Sequence, residues 1–89
     1  MKPSEIEITP KGKSGMSGKD NVAVLAVLRR ARAQGLLPAM SFEYNKHPRI
    51  FGSDPLYLTP KGADLKRTGV KVRSVIRSAF GDRYSVRLS

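Results

Sequence analysis

No cysteine occurs in this 89-residue chain, so its fold must hold without disulfides and without thiolate-bound metal. Stability then rests on an apolar core, and a chain of this length has room for one small domain that buries roughly 60% of its unfolded surface. Hydrophobic residues at 39% suffice for a core, while three Tyr, three Phe and no Trp make it a thin one. The longest strongly apolar stretch, residues 22–28, falls far short of the roughly 20 residues that cross a bilayer. The Met1 end carries no signal-peptide core. These features predict a protein with no membrane partner in a reducing compartment, the cytoplasm, or the host cytoplasm for a viral gene product.

Charge is the next constraint. Seventeen Lys and Arg stand against seven Asp and Glu, a formal net charge of +10. Residues 59–89 concentrate it: Lys61, Lys66, Arg67, Lys71, Arg73, Arg77, Arg83 and Arg87 face only Asp64 and Asp82. A concentrated basic surface makes a field of several kT that draws polyanions. Nucleic acid is the commonest of these, because neutralised phosphates release counterions.

Along the chain, residues 1–18 read as a flexible tail. Glu5-Ile6-Glu7-Ile8 alternates like a short strand, but residues 11–18 hold three Gly and two Ser and bury too little to offset chain entropy. A single α+β domain is expected over residues 19–89. Its first helix starts near Asp20 or Asn21 as N-cap, buries Val24, Leu28 and Ala31, and stops at Gly35. Arg29, Arg30 and Arg32 fall in its last turns, where they complement the helix dipole or form a secondary basic patch. Phe42 and Tyr44 then alternate with Ser41, Glu43 and Asn45 as in a strand, turns follow at 45–48 and 51–55, and residues 56–58 form a second short strand.

Thr59 and Pro60 have the residue types of an N-cap and first helical position, which predicts a second helix ending at Thr68-Gly69. A third helix is predicted over 70–80, with Val72, Val75, Ile76, Ala79 and Phe80 on its apolar face. Its opposite side, Lys71, Arg73, Ser74, Arg77 and Ser78, has no acid. Residues 83–88 read as a strand with Tyr84, Val86 and Leu88 inward, pairing with 41–45. The echo of Ile8-Thr9-Pro10-Lys11-Gly12 in Leu58-Thr59-Pro60-Lys61-Gly62 is short and reads as chance.

Catalytic arrangements fail on residue type. His47 is the single His and sits in a turn beside Lys46, Pro48 and Arg49, with no nucleophile pattern around it. The Gly-rich run before the first helix is not a phosphate-binding P-loop: five residues separate Gly12 from Gly18, and Asp20 stands where a Ser or Thr must hold magnesium. No enzyme activity, metal or cofactor is expected.

Residues 59–80, read as helix, turn and basic helix, have the layout of DNA-reading helix-turn-helix proteins. At Gly69-Val70-Lys71-Val72-Arg73-Ser74-Val75-Ile76-Arg77 the chain resembles the turn and recognition helix of repressors of the lactose-repressor type. The order of elements also resembles a winged-helix domain, with three helices and a small antiparallel sheet. That resemblance implies a DNA-binding regulator whose Lys71, Arg73, Ser74 and Arg77 face the groove or phosphates, joined by Arg83 and Arg87 from the last strand. It would bind DNA in preference to RNA, as a homodimer if its operator is palindromic. The competing expectation is a bacteriophage or mobile-element protein that modulates an acidic host protein, with Phe42, Tyr44, Phe51 and Tyr57 as aromatic anchors.

Overall fold

Ile6 and Ile8 alternate with Glu5 and Glu7, and both are fully buried in the computed structural model, which describes residues 3–44 and 54–89. They belong to β1 (Ile6–Pro10), which pairs antiparallel on one side with β3 (Leu56–Pro60) and on the other with β4 (Tyr84–Leu88). β2 (Met40–Glu43) pairs antiparallel with β3 and completes a sheet of order β2-β3-β1-β4. The register aligns Ile8 with Leu56 and Val86, so a two-residue period places the apolar residues of three strands on one face.

Two antiparallel helices cover that face. α1 (Gly18–Ala33) opens on a capping box, in which Ser17 Oγ accepts from the Asp20 N–H at 3.1 Å and the Asp20 carboxylate accepts from the Ser17 N–H at 3.0 Å, so the N-cap is Ser17 rather than Asp20 or Asn21. It closes on Gly35 at φ +78°, where the Gly35 and Leu36 N–H groups donate to the Arg32 and Ala31 carbonyls in a Schellman motif. α2 (Leu65–Phe80) is capped by Asp64, whose carboxylate accepts from the Arg67 N–H at 3.2 Å, and a 3₁₀ turn over Gly81–Arg83 leads into β4. Val24, Leu25 and Leu28 of α1 and Val72 and Ile76 of α2 close one core with Ile6, Ile8, Leu56, Leu58 and Val86. The order β-α-β-β-α-β is the ferredoxin-like, split βαβ topology.

This corrects several expectations. There are two helices in the described residues rather than three, and the arrangement is not winged-helix-like. Thr59 and Pro60 end β3 instead of opening a helix, because they pair with Ser41 and Met40 of β2 and continue a strand whose Leu58 has partners in both β1 and β2. Gly69 is no turn: it lies inside α2, which runs through residues 65–80 unbroken. The 83–88 strand pairs with β1, while the strand predicted near 41–45 pairs with β3 on the opposite side of the sheet. The described part of the predicted tail, residues 3–18, is not a tail either. It contains an inner strand, and the loop behind it buries Met16 and ties the Met16 N–H to the Asp54 carbonyl at 2.9 Å. Local composition misled there because β1 is held by strands far away in sequence. The turn read at 45–48, with His47, and residues 51–53 of the turn read at 51–55, with Phe51, lie outside the described residues.

The echo read as chance has a structural counterpart. Residues 8–12 and 58–62 run out of the first strand of each βαβ half, and each ends on a Gly at positive φ, +76° at Gly12 and +65° at Gly62.

Candidate nucleic-acid interface

α2 sits close to β4, and Gly69 lies at the contact. A mid-helix Gly costs about 1 kcal/mol relative to Ala, but a Cβ here would lie 3.1 Å from Leu88 Cδ2. The small residue lets the helix settle against the last strand, with Val72 and Ile76 buried one turn apart beneath it.

β4 is an edge strand. Glu5 and Ser89 exchange both backbone hydrogen bonds, and the Lys11 N–H donates to the Arg83 carbonyl at 2.9 Å. By the alternation of an antiparallel ladder, Ser85 and Arg87 also turn their peptide groups toward β1, and Tyr84, Val86 and Leu88 turn theirs outward. Arg73 meets that outward row: its guanidinium donates to the Val86 carbonyl at 3.0 Å in a part-buried contact. Around this bond a trough follows the edge. One end holds Lys66, Val70 and Leu88; the other holds Lys11, Arg77 and Asp82; Arg73, Val86 and Arg87 border both. Asp82 is the single carboxylate among these lining residues and is shared, 3.3 Å from Arg77 and 3.9 Å from Lys11. Such exposed pairs contribute little energy, and one carboxylate cannot neutralise five cations.

The structure therefore divides the residues singled out from the sequence. Arg73 and Arg77 converge on the β4 trough, and Arg87 borders it from the strand. Lys71 and Ser74 project from the other flank of α2, into a groove shared with Arg30 of α1. Arg83 lies in the 3₁₀ turn with its guanidinium 5.9 Å from the Tyr84 ring centre. Arg29 and Arg32 are exposed on α1 and line none of these hollows. Two trough cations were missed. Lys66 precedes Arg73 by seven residues and so shares its helix face, a signal hidden when the helix is split at Gly69. Lys11 follows β1, and only the β1–β4 pairing brings it near Arg77 and Asp82.

The sheet face away from the helices offers a different surface. Its central row reads Glu43, Tyr57, Glu7 and Arg87 by register. Single-stranded RNA is often stacked on aromatic side chains of a four-stranded sheet, but here one Tyr stands between two carboxylates. Of the proposed aromatic anchors, Phe42 packs partly into the core, Tyr57 is half-buried and Tyr44 is exposed.

A side-chain bond locks the helix layer to β4. The Tyr84 hydroxyl donates to the Asp20 carboxylate at 2.7 Å, and the Tyr84 ring meets Phe80 edge-on at 5.1 Å. That hydrogen bond, with further ones from Ser17, holds the Asp20 carboxyl below its ordinary pKa against the opposing effect of desolvation. Burial, and then the same bond, pushes the Tyr84 phenol up. Both groups are engaged with each other, which makes them structural. Among the described residues no group of His, Cys, Asp and Glu could hold a metal ion, and no helix is long and apolar enough to cross a membrane.

No protein family, curated protein or solved structure matches the chain.

Proposed function

We propose that this is a small nucleic-acid-binding protein, DNA being its principal ligand, that holds the phosphate backbone along the trough between α2 and β4. The observation that carries the reading is the alignment of Lys11, Lys66, Arg73, Arg77 and Arg87 along one edge against the lone Asp82. From residue 66 to residue 77 the helix advances about 16 Å, the axial rise of about five phosphates on one strand of a duplex. α2 is flanked by β4 on one side and α1 on the other, so it offers a narrow arc rather than a free-standing helix for a major groove. Contacts to phosphate position a protein without reading sequence. Binding that is largely independent of sequence follows, and any regulatory role would act through occupancy. The reading describes a binding protein rather than a catalyst, and it places the protein in the cytoplasm with its ligand.

The test is a salt titration by fluorescence anisotropy with a labelled duplex. Five neutralised phosphates predict that affinity falls about 500-fold between 50 and 200 mM monovalent salt. An affinity flat across that range would refute a phosphate-backbone site.

A further inference from the structure

A second groove lies on the opposite flank of α2, between the two helices, with a volume of about 590 Å³. Its walls are Val27 and Ala31 of α1 and Val75 and Ala79 of α2, each pair one helical turn apart, and Leu36 closes one end. Arg30 and Lys71 stand beside these apolar groups, and no carboxylate lines the groove. The adjoining hollow at the start of α2 adds Arg67; its one acid, Asp64, is engaged in capping the helix. Leu36 remains 54% exposed, so a large apolar side chain stands in water at the mouth.

We infer that this interhelical groove is a docking site for an amphipathic α-helix of a partner protein, one that carries carboxylates beside its apolar stripe. Charge selects the partner, because apolar walls flanked by Arg30, Lys71 and Arg67 complement acidic flanks and repel a second copy of this chain. Shape selects the helix. Small side chains at Ala31, Ser74 and Ala79 let a third helix approach closely, and helix walls provide no free backbone row for an extended strand. A helix satisfies its own backbone and needs only an apolar surface and matching charge. An acyl chain fits less well, since the groove is open and would leave one side of the chain wet. The site is separate from the β4 trough, so a partner can be held while nucleic acid is bound.

The probe is a labelled model peptide of about 18 residues, long enough to hold a helix, with a Leu/Ala stripe flanked by Glu. Its controls are a scrambled peptide of equal composition and a myristate titration. The expected result is saturable binding of the striped peptide, with amide NMR shifts confined to Val27, Ala31, Leu36, Val75, Ala79 and their neighbours. Arg30→Glu with Lys71→Glu should weaken it at least tenfold and leave duplex binding unchanged. Ala79→Arg separates docking from charge attraction: it adds a cation yet fills the exposed groove, and a tenfold loss is expected. The inference is overturned if the scrambled peptide binds equally, if Ala79→Arg binds as well as wild type, if shifts map to the β4 trough, or if only myristate occupies the groove. Sedimentation showing a dimer that Ala79→Arg dissolves would assign the groove to a second copy and overturn it too.

Discussion

Among the described residues the sheet has two edge strands, and the repeated βαβ connectivity makes them counterparts: β2 ends the first half and β4 ends the second. They are handled differently. β2 is only four residues long and ends in Glu43, so it presents little backbone to a stray strand. β4 is longer, and Arg73 caps the outward Val86 carbonyl while four further cations gather along it. An exposed edge invites pairing with other chains, and the same guanidinium that occupies it contributes charge to the trough. Identical connectivity thus gives one edge protected by brevity and one protected by cations, and the second doubles as a candidate site.

The comparison can be broken at β1, the strand of the first half that pairs with both strands of the second. Ile8 is fully buried in β1, between both halves, and Ile8→Ala should cost about 3 kcal/mol by urea denaturation. A change near zero would restore the flexible tail. The edges themselves are compared by charge reversal. Arg77→Glu with Arg87→Glu should weaken duplex binding about 50-fold at low salt and lower the salt exponent by about two. Glu43→Lys at the other edge should leave both within a factor of about three; equal responses at the two edges would remove the distinction.

The link between α1 and β4 gives a smaller effect. Tyr84→Phe removes the hydroxyl from the Asp20 carboxylate and should cost about 1 kcal/mol near neutral pH. Because the folded pKa of Asp20 is lowered, that stabilisation is present above its ordinary value of 3.8 and fades as pH falls through the folded value. The deficit of Tyr84→Phe should therefore shrink in acid. Tyr84 has the opposite sign: its folded pKa is raised, so its contribution is present below 10.0 and is lost as alkali takes pH through the folded value. Thermal melts across pH check both arms. The smallest effect is expected at Gly69→Ala, where the crowded atom is the far end of a half-exposed Leu88 side chain that can move. Helix propensity should then win, with a gain of about 0.5 kcal/mol; a loss would show the helix–edge contact to be rigid.

Much of the candidate site was readable. The alternation at Tyr84 and Val86 and the Gly35 helix stop appear in the structure as the residues imply, while the side of α2 read as one acid-free face divides between the β4 trough and the groove toward α1. The splitting of α2 at Gly69 was the costly misreading. Gly in a turn and Gly permitting close packing are alike in sequence, and only Leu88 above it distinguishes them. The same holds for Thr59-Pro60, whose helix-opening residue types yielded to pairing with Ser41 and Met40 of β2.

By itself, the order of residues determined the alternation of β1 and β4, the stop of α1 at Gly35 and the excess of positive charge, because these depend on neighbours within a few positions. Only the tertiary structure decided that β1 is an inner strand, that β4 is an edge, and that Lys11 joins Arg77 and Arg87 while Lys71 turns toward α1. Those outcomes depend on strand pairing between residues up to about 80 positions apart, such as Ile6 with Leu88, and pairing energy at that distance leaves no local mark in the chain.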